Sequence, residues 1–399
     1  LKHKAVVIGG GYVGLQEAVL LARKGIHTTI IDTNDSVIKS IMEAKYDPQR
    51  LHIKEHFVLN NWKTVRDLIE ATKEYSVVSE ANIVIIAVNT PVVLFGDRLL
   101  GELDNCSEPT CCLDFTPLSS AVRNLAKHMN NGVYINSLVT IYPNGTSEWI
   151  IRPLEREGYH LGRDIYVTHT PERVDPGNKK FTLDKIPRNL GYLEERSLKV
   201  AKALYQNVLE IQLHPARLDL VELSKLHENA FRMVNIAFVQ ESLAKYGEDI
   251  IKVVDLAGTK PFGFMKMYPS PYAGGSCLLK DSIMYYCKTS NSLVYRAIAI
   301  NEQMPKVYAS LLHRKIRKRN ASKILFLGIG FKPGSRYYIS KYLNPIERLI
   351  MELKRIDPTL DIRKYDPNIP QYSDFSTREE AEKWSDLIVK WNYKDLLNV

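Results

Sequence analysis

Short apolar runs closed off by polar or turn residues punctuate the first half of the chain. Residues 5–8, 28–31, 83–88, 133–139 and 165–167 read this way, and their brevity predicts strands of a buried parallel sheet. Between the first two lies a helical stretch, 11–24, stopped by Gly25, a residue suited to a helix C-terminus. Such alternation implies a doubly wound sheet with right-handed crossovers. The strand signal ceases near Glu194. Leu218–Tyr246 then reads as a long amphipathic helix, with Leu223, Leu226, Ala230, Met233 and Ala237 at three- or four-residue spacing. A second long helix is predicted over 292–314. Lys323–Leu327 begins another strand, a helix follows at 344–355, and Asp361–Tyr365 and 387–389 supply further strand-like pieces. The expected fold is α/β, with two Rossmann-like doubly wound domains joined by a long central helix and a helical middle domain. Its expected boundaries are 1–193, 194–315 and 316–399.

Composition narrows the class. A chain of 399 residues is too long for one ordinary domain of ~150 residues. Its 45% hydrophobic and 25% charged content is that of a globular protein and excludes disordered and collagen-like chains. No apolar run approaches the ~18 residues of a membrane span. Val6-Val7-Ile8 leads straight into glycines instead of a cleavage site, so a cytoplasmic protein without membrane attachment is expected. The net charge of +9 has two readings, nucleic acid or a small anionic ligand. No zinc spacing, RNP string or aromatic-interleaved basic stripe supports the first, whereas a nucleotide diphosphate needs only local positive potential. The basic run from His313 to Arg319 reads as a solvated helix end.

The five cysteines are Cys106, Cys111, Cys112, Cys277 and Cys287. An odd number without CxxC spacing argues against a disulfide framework and against a zinc site, so reduced thiols and no metal are expected.

Gly9-Gly10-Gly11-Tyr12-Val13-Gly14 fits GxGxxG at Gly9, Gly11 and Gly14, between a strand and a helix. The first glycine permits a tight turn, the second lets backbone approach a pyrophosphate at the helix N-terminus, and the third lets helix pack on strand. Asp32 closes the second strand about 20 residues on, the position that hydrogen-bonds an adenosine ribose and repels a phosphate, which favours NAD over NADP. Ligands of open α/β sheets bind beyond the carboxyl ends of strands. Asn89-Thr90-Pro91, Thr140 and Pro171-Glu172-Arg173 occupy such ends. On the long helix, Glu222, Lys225, Asn229 and Arg232 share one face, either a solvated stripe or a pair of groups, Lys225 and Asn229, able to hold an oxyanion. In Gly274-Gly275-Ser276-Cys277-Leu278-Leu279-Lys280-Asp281, glycines precede a cysteine at a helix start, where the dipole favours an anionic sulfur, and Lys280 adds positive potential.

Together these residues resemble the UDP-glucose/GDP-mannose dehydrogenase family. The resemblance runs through GGGYVG, VNTP, PERVDPG, ELSKLHENAFRMVNIA, GGSCLLKD and LGIGFKP with a later YDP, and so covers nearly the whole chain. It implies NAD-dependent, four-electron oxidation of a UDP-sugar primary alcohol to the acid. Cys277 would form a thiohemiacetal and then a thioester, with Lys225 and Asn229 on the oxyanions and Asp281 and Thr140 on water. Glu172, Arg173, Gly274, Gly275 and Lys332 would meet the nucleotide sugar, and the long helix implies a homodimer or a dimer-based oligomer. PERVDPG resembles the branch acting on UDP-N-acetylhexosamines, with UDP-N-acetylmannosamine favoured, whereas GGSCLLKD, with Ser276, resembles the UDP-glucose branch. The chain departs from the family at Ser270 and Tyr272, where glycines are usual, and over 334–345, where Arg336 only roughly replaces an arginine. Around Thr140 the family's Glu-Ser-Thr-Val reads Leu138-Val139-Thr140-Ile141. Two rival readings are a two-electron β-hydroxyacid dehydrogenase, which needs neither Cys277 nor a second α/β domain, and a non-catalytic nucleotide-sugar-binding paralogue.

Overall fold

A computed structural model describes residues 3–106 and 108–397. By internal contacts the chain divides into two compact units. One runs up to Pro91 and resumes over Leu113–Leu226; the other comprises Val92–Cys112 and the chain from His227 onward.

The first unit is built on β1 (Lys4–Ile8), β2 (His27–Ile31), β3 (Ile69–Thr72), β4 (Ile83–Ile86), β5 (Val133–Ser137), β6 (Ile165–His169), β7 (Arg188–Tyr192) and β8 (Leu213–Arg217). They form one sheet in the order β3-β2-β1-β4-β5-β6-β7-β8. The order reverses between β1 and β4, where Val7 lies opposite Ile85 in parallel register, and this is where an open α/β sheet opens a ligand crevice. Ile83–Ile86 is buried throughout, as a strand covered on both faces must be. Helix α1 (Tyr12–Ala22) connects β1 to β2. The apolar pattern left β3, β7 and β8 unsignalled, and β8 lies beyond the point near Glu194 where strands were expected to cease. β8 reads LHPAR, an edge strand largely exposed and carrying Pro215, so it has neither an apolar run nor clear alternation. β7 pairs antiparallel with β6 through His169 and Gly191, because no crossover helix separates them.

In the second unit, α2 (Asp97–Asn105) precedes the long helix α3 (Leu218–Tyr246), whose N-terminal turns belong to the first unit. Then come α4 (Asp249–Ala257), α5 (Leu278–Thr289) and α6 (Ser292–Lys318). A smaller parallel sheet, β10-β9-β11, is formed by β9 (Lys323–Leu327), β10 (Asp361–Tyr365) and β11 (Leu387–Lys390), with α7 (Pro345–Ile356) between β9 and β10. Ile324 and Phe326 of β9, Val389 of β11, Leu349 and Leu353 of α7, and Tyr308, Leu312 and Ile316 of α6 share one core. Each such buried side chain contributes roughly 1.5–3 kcal/mol. Among the described residues no helix is long and apolar enough to cross a membrane.

Cys106 and Cys111 are joined by a disulfide, which overturns the expectation of five reduced thiols. The pairing depends on chain folding that spacing alone does not reveal. Cys106 is the C-cap of α2, and a short turn, Pro109–Cys111, brings Cys111 back against it.

Candidate active site

The first unit forms the expected turn. Gly9 has a φ of +101°, which disfavours any residue with a Cβ, and a Cβ there would meet the Ala87 carbonyl oxygen at 2.6 Å. A Cβ on Gly14 would meet the Gly9 carbonyl oxygen at 1.8 Å, so the helix packs at backbone distance. Gly11, by contrast, has nothing within 4 Å of the Cβ position and caps α1 with no side-chain bond. An open approach to an uncapped helix N-terminus fits the pyrophosphate of a dinucleotide. Tyr12 and Val13 make the first turn of α1. Asp32 accepts from the Gly10 N–H at 2.7 Å and the Asn34 N–H at 2.8 Å, which fixes its carboxylate beside the turn. His52, which the sequence reading missed, lies with Nε2 2.8 Å from the Gly10 carbonyl oxygen, and its burial lowers its pKa.

Beyond the strand ends, the Thr90 hydroxyl donates to the Thr140 carbonyl at 3.5 Å, linking the loops after β4 and β5, while Asn89 and Pro91 are exposed. Pro171, Glu172 and Arg173 follow β6 and line a small cavity with Pro187 and Arg188. Glu172 accepts from the Val174 N–H at 2.5 Å. Burial raises its pKa, opposed by the cations of Lys225 and Arg188. The Arg173 guanidinium donates to the Pro187 carbonyl at 2.6 Å. Arg188 makes two bonds to Glu17, at 3.0 and 2.7 Å, and Tyr205 donates to the same carboxylate at 3.1 Å. This buried pair was also missed. The one signal was Glu17, the single charged residue of α1, since a buried carboxylate is rare without a partner.

The long-helix stripe is not a solvated face. Glu222 is fully buried and accepts from the Asn144 and Thr146 N–H groups at 2.6 and 2.8 Å, so it anchors the loop that follows Thr140. Burial pushes its pKa up to about 7. Lys225 is half-buried and Arg232 is exposed.

In the second unit, Cys277 is the exposed N-cap of α5, and its carbonyl accepts from the Asp281 N–H at 2.9 Å. Asn229 donates to the buried Asp281 carboxylate at 2.6 Å, and the Lys280 ammonium lies 3.8 Å from that carboxylate's other oxygen. Cys112 and Cys287 differ sharply from Cys277. Both are buried, and burial pushes their thiols up to about 11 and about 12. Gly274 and Gly275 are sterically required: a Cβ on Gly274 would meet the Leu343 carbonyl oxygen at 2.0 Å, and Gly275 has a φ of +98°. Gly275 lies beside the Phe331 ring, and the Lys332 ammonium stands 5.7 Å from that ring's centre.

The departures from the family pattern have local partners. Tyr272 is buried and donates to Glu302 at 2.6 Å, and Glu302 also accepts from Arg348 and from the Gly96 N–H, both at 2.8 Å. The Ser270 carbonyl accepts from Gln240 at 3.2 Å. Leu343, within the divergent 334–345 stretch, accepts from the Gly275 N–H at 3.2 Å. Arg336 is exposed.

Residues 3–209 match the model for the UDP-glucose/GDP-mannose dehydrogenase family, NAD binding domain, and residues 220–303 match that family's central domain. A UDP-N-acetyl-D-mannosamine dehydrogenase of Pyrococcus horikoshii is 31% identical over 372 residues, covering 89% of this chain and 83% of the relative. One from Methanocaldococcus jannaschii is 29% identical over 96% of this chain and 84% of its own length. The solved structure of the Pyrococcus horikoshii UDP-D-ManNAc dehydrogenase superposes with a TM-score of 0.81 at 28% identity, covering 97% of this chain and 88% of that one.

Proposed function

The chain belongs to the UDP-glucose/GDP-mannose dehydrogenase family, NAD-dependent oxidoreductases, and from that premise we propose that it oxidises UDP-N-acetylmannosamine, or a closely related UDP-N-acetylhexosamine, to the uronic acid. The observation that carries the reading is Cys277, exposed at the N-terminus of α5, one turn before a buried Asp281 held by Asn229. A two-electron dehydrogenase has no use for such a thiol.

NAD would be held by Gly9, Gly11, Gly14 and Asp32 with Asn89, Thr90, Pro91 and Lys280, and two NAD molecules in turn would supply the hydride acceptor for the two oxidations. After the first oxidation an aldehyde has no second hydride to give readily. Addition of the Cys277 thiolate to its carbonyl carbon creates a thiohemiacetal whose oxyanion Lys225 and Asn229 stabilise. Loss of hydride leaves a thioester on Cys277. Asp281 and Thr140 position water to attack it, Glu172 takes up a proton, and the C–S bond breaks to release the acid and the thiolate. Overall one alcohol and one water yield one carboxylate and three protons, with four electrons delivered as two hydrides. Burial, which raises the Glu172 pKa, suits this role by making its carboxylate a stronger proton acceptor than an exposed one.

Arg173, Gly274, Gly275 and Lys332 are assigned to the nucleotide sugar. Segments 1–193, 194–315 and 316–399 would serve cofactor, dimerisation and UDP-sugar respectively. The exposed Phe231 and Phe238, two turns apart on α3, support a homodimer built on that helix. The cytoplasm, where NAD and UDP-sugars are made available, is the proposed location.

The test is NADH formed per sugar over a panel of UDP-N-acetylhexosamines, UDP-glucose and GDP-mannose. Two NADH per UDP-N-acetylmannosamine, with UDP-glucose unreactive, is expected. Two NADH with UDP-glucose alone would assign the other branch, to which Ser276 points. One NADH per sugar would overturn the thiol mechanism.

A further inference from the structure

Four of the five cysteines converge at one place in the second unit, away from the end of α5 that carries Cys277. Cys106, Cys111 and Cys112 come from the segment Val92–Cys112, and their sulfurs lie within 4.8 Å of one another. Cys287 comes from the opposite end of α5, with its sulfur 3.1 Å from that of Cys106. The Cys111 and Cys112 sulfurs are 3.5 Å apart. A single disulfide, Cys106–Cys111, occupies only two of these four atoms. Nothing about closing that bond calls for two more sulfurs against it.

We propose that the reduced protein holds one zinc ion at Cys106, Cys111, Cys112 and Cys287, a structural site that clasps the segment Val92–Cys112 to α5. Tetrahedral zinc with Zn–S bonds of ~2.3 Å sets its sulfurs roughly 3.8 Å apart. The Cys106–Cys287 and Cys111–Cys112 separations of 3.1 and 3.5 Å lie within an ångström of that value, and opening the Cys106–Cys111 disulfide frees its two sulfurs to move apart to it. Four thiolates with no oxygen donor are the ligand set that soft, tetrahedral zinc prefers. Disulfide and zinc are alternative states of the same atoms. A dithiol reductant returns Cys106 and Cys111 to thiols with two electrons and two protons, and binding Zn²⁺ then displaces four protons from the four thiols. Lys288, paired with Glu108 at 2.5 Å, supplies positive charge beside a centre that carries two net negative charges. The usual paired CxxC signature is absent because three ligands come from the end of α2 and the turn that follows it, and the fourth arrives from α5.

The full chain, reduced and equilibrated with Zn²⁺, then desalted, is assayed for bound metal, with Co²⁺ substitution for its thiolate charge-transfer and tetrahedral bands. About one zinc per chain is expected, retained in Cys277→Ser and bound at least tenfold more weakly in Cys112→Ser and Cys287→Ser. If those two variants fail to fold, the wild type decides. With zinc bound, a thiol reagent should modify one cysteine, Cys277, and chelation should expose four more. Failure of the reduced wild type to retain zinc, thiol reactivity indifferent to zinc, or full zinc content in Cys287→Ser would overturn the site.

Discussion

Two glycine-bearing turns, one in each unit, start helices in nearly the same way and serve different chemistry. At α1, Gly9 ahead of the helix takes a φ of +101° and Gly14 in its first turn sits 1.8 Å, at its Cβ position, from a carbonyl oxygen. Before α5, Gly275 takes a φ of +98° and Gly274 sits 2.0 Å from one. Both use glycine to bring backbone against backbone at a positive helix end. They part at the cap. α1 begins on Gly11, bare and open, whereas α5 begins on Cys277. A bare cap leaves the helix N-terminus to an incoming anion; a thiol cap keeps it for a sulfur that becomes one. The same backbone device thus makes a binding site or a nucleophile according to one side chain.

The largest effect expected is on the second cap. Cys277→Ser should lower acid formation by about a thousandfold or more, since an alcohol is a far poorer nucleophile toward the aldehyde, while leaving NAD affinity unchanged. Product analysis with an NAD titration checks both parts.

Next in size is the glycine pair. Gly274→Ala drives a methyl into the Leu343 carbonyl and should cost about 1–3 kcal/mol of stability, seen as a lower melting temperature. Gly11→Ala meets nothing and should melt like the wild type yet bind NAD more weakly, because the methyl fills the approach to the helix end. Equal melting of the two variants would break the comparison.

Much of this contrast was legible beforehand. The apolar runs of β1, β2 and β4 and the spacing of Gly9, Gly11, Gly14 and Asp32 carry local instructions, so the turn could be read without the fold. The GGSC start of α5 was equally local. What escaped depends on contacts between distant parts of the chain. β8 is an exposed, proline-bearing edge with no apolar pattern. Arg188 meets Glu17 across the first unit, and Glu222 turned inward to hold the loop at Asn144 instead of facing solvent. Tyr272 looked like a defect in a glycine run, but it fills its site and bonds Glu302. The sulfur cluster lay hidden for the same reason, since Cys287 is far from the other three in sequence.

An effect of similar size tests the cofactor end. Asp32→Ala should weaken NAD binding by roughly 1.5–3 kcal/mol, the worth of a hydrogen bond to a charged group, as measured by calorimetry. Undiminished affinity would remove Asp32 from the ribose.

The smallest effect concerns pH. Glu222 keeps its proton up to about pH 7 in the folded chain against an ordinary value of 4.5, because burial disfavours the anion. A raised folded pKa means that its contribution to stability is complete below pH 4.5 and is lost as pH rises through about 7. Across that window the wild type should lose roughly 1–3 kcal/mol relative to Glu222→Gln, measured by denaturant unfolding at several pH values. Parallel stability profiles would contradict the assignment.

The central claim is that Cys277 becomes covalently bonded to the sugar, and the intact mass of Glu172→Gln, quenched during turnover of UDP-N-acetylmannosamine with NAD, tests it most directly. The account expects slowed hydrolysis and an added mass equal to the uronyl nucleotide, mapped to the Cys277 peptide. Acid formed with two NADH per sugar while Cys277 stays unmodified throughout, and at an undiminished rate in Cys277→Ser, would contradict it.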